Sequence, residues 1–305
     1  MLLNRQFVID QLTVWQYKPS SDITAIANRA SFNDTGRFLF YASRPQISDR
    51  AEFNRQCRRL VEKTAILGCY VNRQIFVFDI TDQRLDGIKE VTAAHEMLHA
   101  AYDRLSTSEK TRVDALISQQ AERITDQKLR DRLALYDQTE PGERLNELHS
   151  ILGSEIDNLS SELETYYKQY FTDRAALVAL SNKYETVFNE IEAKQTSLID
   201  ELNRLADQVS AASDVYTKAL ATLQADINNF NARARSGGFT SQAAFNTERD
   251  RLLARQEKLQ ADRLAINANI DVYNQKKAEL DALNTTAEGL QKSINSTALP
   301  EAPAL

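Results

Sequence analysis

From residue 156 to residue 293 the sequence contains no proline, and its only glycines are the adjacent Gly237-Gly238 and Gly289. Such a stretch can continue as helix almost without interruption. Within it the apolar residues recur every seven positions. Leu177, Tyr184, Ile191, Leu198 and Leu205 form one series. Phe188, Leu202, Val209, Tyr216, Leu223 and Phe230 form another, four residues out of step and broken by a polar residue only at Gln195. After the glycine pair, Phe245, Leu252, Leu259, Ile266, Tyr273 and Leu280 keep the same spacing. Sustained heptads make a coiled-coil seam. A turn over residues 235–240 lets the second arm fold back on the first, giving an antiparallel hairpin of roughly 80 to 110 Å at about 1.5 Å per residue. The longer first arm is expected to break near Ser210-Ala211-Ala212-Ser213. The alternative is an intermolecular coiled coil that docks another protein. The last dozen residues, with Pro300 and Pro303, read as a loose tail.

Residues 1–155 have another character. They hold all three histidines, both cysteines, the single tryptophan and the β-branched and aromatic runs. A helix is expected from Ser21-Asp22 through Ala30, a strand over 37–41, and a helix over 49–63. Strands over 65–71 and 74–80 are joined by an Asn72-Arg73 turn, so the sheet is at least partly antiparallel. Helices follow over 87–105, from a Ser106/Glu109 capping box to about residue 124, over 127–136, and from Pro141 to a stop near Gly153. The organisation is therefore α+β over 1–155, a helical hairpin over 156–293, and a tail over 294–305. The Tyr166-Tyr167 and Tyr170-Phe171 cluster is expected to pack the two domains together.

The net charge of −6 argues against a general nucleic-acid binder, which needs a basic face. No run of about 18 apolar residues exists to span a membrane. The opening residues lack the basic and apolar regions of a signal peptide. They do not read as a tidy domain start either, which suggests a natural protein that continues upstream. Cys57 and Cys69, 12 apart, form either one disulfide in an oxidising compartment or two buried thiols.

The expected helix over 87–105 carries His95-Glu96-Met97-Leu98-His99. Histidines at i and i+4 stack on one helix face, so both imidazoles reach one tetrahedral Zn²⁺. Glu96, one position round, is placed to take a proton from an attacking water. The apolar flanks Val91 to Ala94 and Met97-Leu98 suit a buried helix. The plainer reading is a core or surface histidine pair. A catalytic zinc needs a third protein ligand, and Glu143, Glu147, His149 and Glu155 all stand downstream as candidates.

With Leu145-Asn146-Glu147 on a downstream helix, the His95-Glu96-x-x-His99 motif resembles the gluzincin clan of zinc metallopeptidases, over at most about 115 residues. The resemblance implies a zincin-like domain with His95, His99 and Glu147 as zinc ligands and Glu96 as general base. It departs at Ile151, where those families often place an acidic partner for a ligand histidine. Glu143 as ligand with Glu147 behind it, or His149 in a three-histidine site, stay open. An oxyanion donor is needed as well, and His149, Tyr102 and Tyr70 are candidates. In zincins an extended substrate pairs with a strand edge beside the metal helix, and the strand over 75–80 or its neighbour fits that place. The implied function is a zinc peptidase acting on peptides or proteins at the cell envelope. The alternatives are a coiled-coil scaffold with a structural, four-ligand zinc, and a latent peptidase whose cleft is plugged by residues 156–180.

Overall fold

A computed structural model describes residues 5–57, 66–139 and 142–297. Residues up to Asn189, together with those from Glu288 onward, form one compact unit, and Glu190–Ala287 form a second. The contact boundary therefore falls some 35 residues beyond the change of sequence character at 155.

The first unit begins with α1 (Arg5–Gln16), α2 (Ser21–Arg29) and α3 (Asp34–Ala42). The segment expected as a strand over 37–41 is the body of α3. Asn33 caps it by accepting from the Gly36 amide, and Leu39 and Phe40 are buried. The apolar run is too short for its periodicity to decide between strand and helix, and the cap decides it. Gly36 is required by packing: a Cβ there would lie 2.3 Å from the Tyr170 carbonyl oxygen.

Next come β1 (Gln46–Ser48), α4 (Arg50–Gln56), β2 (Gly68–Val71) and β3 (Gln74–Phe78). The expected helix over 49–63 is α4 up to Gln56, capped by Asp49; residues 58–63 lie outside those described. β2 and β3 pair antiparallel through the expected Asn72-Arg73 turn. β1 joins the far side of β3 in parallel, so the three-stranded sheet is mixed in the order β1-β3-β2, with β2 at an edge. Cys57 and Cys69 are joined by a disulfide, which ties the end of α4 to that edge strand.

The sheet leads into α5 (Ile88–Asp103), followed by α6 (Thr107–Ala121), α7 (Gln127–Thr139), α8 (Arg144–Ser154) and α9 (Ser161–Tyr167). The Ser106/Glu109 capping box is present as expected. Pro141 lies outside the described residues. α8 ends at Ser154, as expected near Gly153. Gly153 also packs closely: a Cβ there would meet Leu98 Cδ1 at 2.4 Å and Tyr167 Cε1 at 2.6 Å. Its missing side chain lets α5, α8 and α9 close on one another. The core runs from α2 and α3 through Ile75 and Val77 to Met97, Leu98, Leu148, Ile151 and Leu152. Tyr166, Tyr167, Tyr170 and Phe171 belong to this core rather than to a domain junction.

α10 (Arg174–Arg235) and α11 (Gln242–Ile294) are single helices. α10 runs unbroken through Ser210–Ser213, contrary to the expected break. Within Glu190–Ala287 the two pair antiparallel. Lys194 meets Glu279 at 2.8 Å, Glu201 meets Lys276 at 2.6 Å, and Asp226 meets Arg255 at 2.5 Å. Leu198, Leu202, Leu205, Leu223, Phe230, Leu252 and Leu259 are buried along the seam. Gln195, the polar break in the heptads, donates to Asn284 at 2.7 Å across it. Phe230, Phe239 and Phe245 cluster at the Gly237-Gly238 turn.

Candidate metal centre

α5 starts at Gly87, which caps it in the left-handed region (φ 102°), where a Cβ would also strike Leu180. Its apolar faces are buried, as Val91, Ala93, Ala94, Met97 and Leu98 show. The remaining face carries His95 and His99, with side chains 16% and 11% exposed, towards α8.

Glu147 on α8 meets both. One carboxylate oxygen lies 3.6 Å from His95 Nε2, the other 3.5 Å from His99 Nε2, and the two Nε2 atoms are 3.0 Å apart. Among the described residues, His95, His99 and Glu147 are the group whose ligand atoms converge, all within 4.8 Å. The opposite ring nitrogens fix the tautomers. His99 Nδ1 donates to Asn146 Oδ1 at 3.0 Å, and His95 Nδ1 faces Glu155 Oε1 at 3.3 Å. The two Nε2 atoms and the Glu147 carboxylate therefore face one another, an arrangement that either a proton on His95 Nε2 or a metal ion between them satisfies. Glu147 Oε2 is buried without a hydrogen-bond partner, which fits the same requirement. Two imidazoles and one carboxylate are a donor set that suits zinc.

The electrostatics agree. Burial disfavours the His95 cation, but Glu147, Glu155 and Glu96 outweigh it and push the ring's pKa up to about 10. Burial and the neighbouring His95 hold His99 below its ordinary value. Burial opposes ionisation of Glu147, yet His95 and His99 bring its carboxyl below the usual range. Glu155 is likewise ionised against its burial, because Arg132, 2.7 Å away, and His95 draw it down to about 2.

Glu96 is buried beside His95 and adds to the negative field on that ring. It lies directly beneath the start of the edge strand: a Cβ at Gly68 would be 2.8 Å from Glu96 Cγ and from its Oε1. A glycine at the start of a strand is a signal of close approach that the sequence carries, yet sequence reasoning passed over it. It also passed over the holding roles of Asn146 and Glu155. Glu143 is engaged one step further out, accepting from Asn146 Nδ2 at 3.0 Å.

The remaining candidates sit elsewhere. His149 on α8 is fully buried, and its Nε2 is hydrogen-bonded to the Tyr166 hydroxyl at 2.8 Å. Burial, with His99 and His95 nearby, lowers its pKa to about 3, so it is neutral. Tyr102 donates to Asp114 at 2.8 Å, and the Tyr70 hydroxyl accepts from Arg104 at 3.0 Å. No family model matches the chain, and no curated protein or solved structure matches it significantly.

Proposed function

We propose that this chain is a zinc-dependent peptide-bond hydrolase of the gluzincin kind, with a zincin-like domain built on α5, α8 and the three-stranded sheet. One observation carries the reading. Two imidazole Nε2 atoms and a buried carboxylate converge on one point while an acceptor lies on the far side of each ring.

His95, His99 and Glu147 would hold the ion, and Asn146 and Glu155 would orient the two rings. When bound, zinc supplies Lewis acidity to a water and to a scissile carbonyl. Glu96 takes the proton from the attacking water and delivers it to the leaving amide nitrogen. Its buried position between His95 and Gly68 keeps bulk water away from that transfer. β2, at the sheet edge above Glu96, offers backbone groups to an extended peptide, which favours peptides or proteins as substrates. The Cys57–Cys69 disulfide favours an oxidising setting such as the cell envelope.

A purely structural zinc would take a fourth protein ligand. The engagement of His149 with Tyr166 argues against that role for it and in favour of an open position. A latent peptidase has one observation on its side, the slight exposure of all three ligand side chains, between 10% and 16%. Limited proteolysis that raised activity would mark that form.

The test is Glu96→Gln. Peptide hydrolysis should fall by about 100-fold or more while zinc stays bound at one equivalent. Activity that survives the change overturns the assignment.

A further inference from the structure

α1 is turned inside out. Its more buried residues are Gln6, Asp10, Thr13 and Val14, followed by Tyr17 just beyond its end. Asp10 is buried and takes two hydrogen bonds from Arg104, at 2.8 and 3.0 Å. Arg104 caps the C-terminus of the metal-bearing α5. The Tyr17 hydroxyl donates to the Pro45 carbonyl at 2.6 Å. Exposed apolar residues stand on the outward side, beside Arg5, Gln11 and Gln16. Val8 is 39% exposed, Ile9 43%, Leu12 55% and Trp15 81%. At about 100° per residue Val8, Leu12 and Trp15 fall within one narrow sector of the helix, with Ile9 at its margin. An ordinary surface helix has the opposite polarity.

The charge around this face is selective. In a chain with 43 acidic residues, the only acidic side chain between residues 5 and 18 is Asp10, which faces inward. Arg5 and Lys18, at the two ends of the helix, are exposed, as is Arg44 just beyond α3, the helix against which α1 packs. A protruding apolar ridge with tryptophan at its end, basic groups at its rim and no exposed carboxylate within residues 5–18 matches the interfacial zone of an anionic lipid bilayer. No helix among the described residues is long and apolar enough to cross a membrane, so α1 would lie on the surface rather than span it.

We infer that α1 is a lipid-docking element, which seats the first unit on anionic membrane through Val8, Leu12 and Trp15. The surface stands independently of the metal centre.

Trp15 is the only tryptophan in the chain, so its fluorescence reports on this face alone. The full chain is titrated with vesicles of phosphatidylcholine, with and without phosphatidylglycerol, some carrying brominated acyl chains. Trp15 emission should shift to the blue, be quenched by the brominated lipid, and require roughly fivefold less anionic lipid for each basic side chain engaged. The pair Val8→Ser and Leu12→Glu should remove the shift with the far-ultraviolet circular dichroism unchanged. Phe7, which packs on Phe38, is left in place so that α1 stays seated. Emission unchanged on both kinds of vesicle overturns the proposal. So does a blue shift that grows with protein concentration without lipid, which would mean a second copy covers the face. Sedimentation with vesicles while Trp15 emission stays red also overturns it, since another surface would then be docking.

Discussion

Glu155 Oε1 lies 3.3 Å from His95 Nδ1, and its other oxygen accepts from Arg132 at 2.7 Å. The ring is thus gripped on the side opposite Glu147, with a second cation holding the grip. The position eight residues after Glu147 does what Ile151, four after it, has no chemistry to do. Glu155→Gln keeps the shape but removes the charge that favours Nδ1–H. Zinc affinity should drop by about 10- to 100-fold, as for other partners of ligand histidines. Competition against a metal-sensitive dye measures it; unchanged affinity would show that Glu155 does not set the tautomer.

Gly68→Ala places a methyl group 2.6 Å from Thr92 Cγ2 and 2.8 Å from Glu96 Cγ and Oε1. Both buried side chains of α5 have to give way. Turnover should fall by at least about tenfold, with zinc content nearly unchanged, because misplacing a proton-transfer group costs rate steeply. Equal losses of zinc and activity would mean that β2 supports the ligands instead.

The metal-free protein carries an imidazolium at His95, sustained up to about pH 10 by Glu147, Glu155 and Glu96 against burial. An unfolded histidine titrates near about 6.5. The folded value being the higher, this group's stabilisation of the metal-free fold is complete below about pH 6.5 and is lost as pH rises through about 10. A metal ligand must be neutral, so zinc expels that proton, and apparent affinity should climb with pH across the same window. Calorimetry in two buffers of different ionisation enthalpy should find about one proton released per zinc near neutral pH. No release would contradict the charge assigned to His95.

Much of this was legible in the sequence because its signals are local. Heptads, the Ser106/Glu109 box and the His95–His99 spacing each depend on residues within one or two turns of helix. The helical hairpin and the face of α5 that carries His95 and His99 follow from them. What escaped depends on distant partners. α3 reads as a strand over five apolar residues because its helicity is set by the Asn33 cap and by Tyr170 pressing on Gly36. Gly153 marks the end of α8 as read, but its second purpose, admitting Leu98 and Tyr167, depends on partners distant in sequence. His149 resembles a ligand by its spacing, but α8 turns Glu147 toward α5 and His149 toward Tyr166.

The disulfide pins the edge strand that carries Gly68. Cys57 and Cys69 are separated by 12 residues, and closing a loop of that size stabilises by about 3 kcal/mol on the chain-entropy account. Replacing both by serine should lower the denaturation free energy of the first unit by about that amount, measured by chemical unfolding of the zinc-free protein. A loss below about 1 kcal/mol would place the tether outside the cooperative core.

In the coiled coil, Gln195 and Asn284 form a polar layer within an otherwise apolar seam. Replacing both by leucine should raise thermal stability while loosening the register between α10 and α11, since a polar layer pays in stability for a unique alignment. Spin-label distances across the seam should broaden. A distance distribution as narrow as in the parent would assign the register to the ion pairs alone.

The most direct measurement is zinc-edge X-ray absorption on the zinc-loaded full chain, beside the same spectrum for Glu147→Gln. The account predicts one zinc held by two imidazole nitrogens and a carboxylate, with a further exchangeable oxygen, and a shell altered by the Glu147 change. Failure to bind zinc at one equivalent, or a closed shell of four protein ligands indifferent to Glu147, would contradict it.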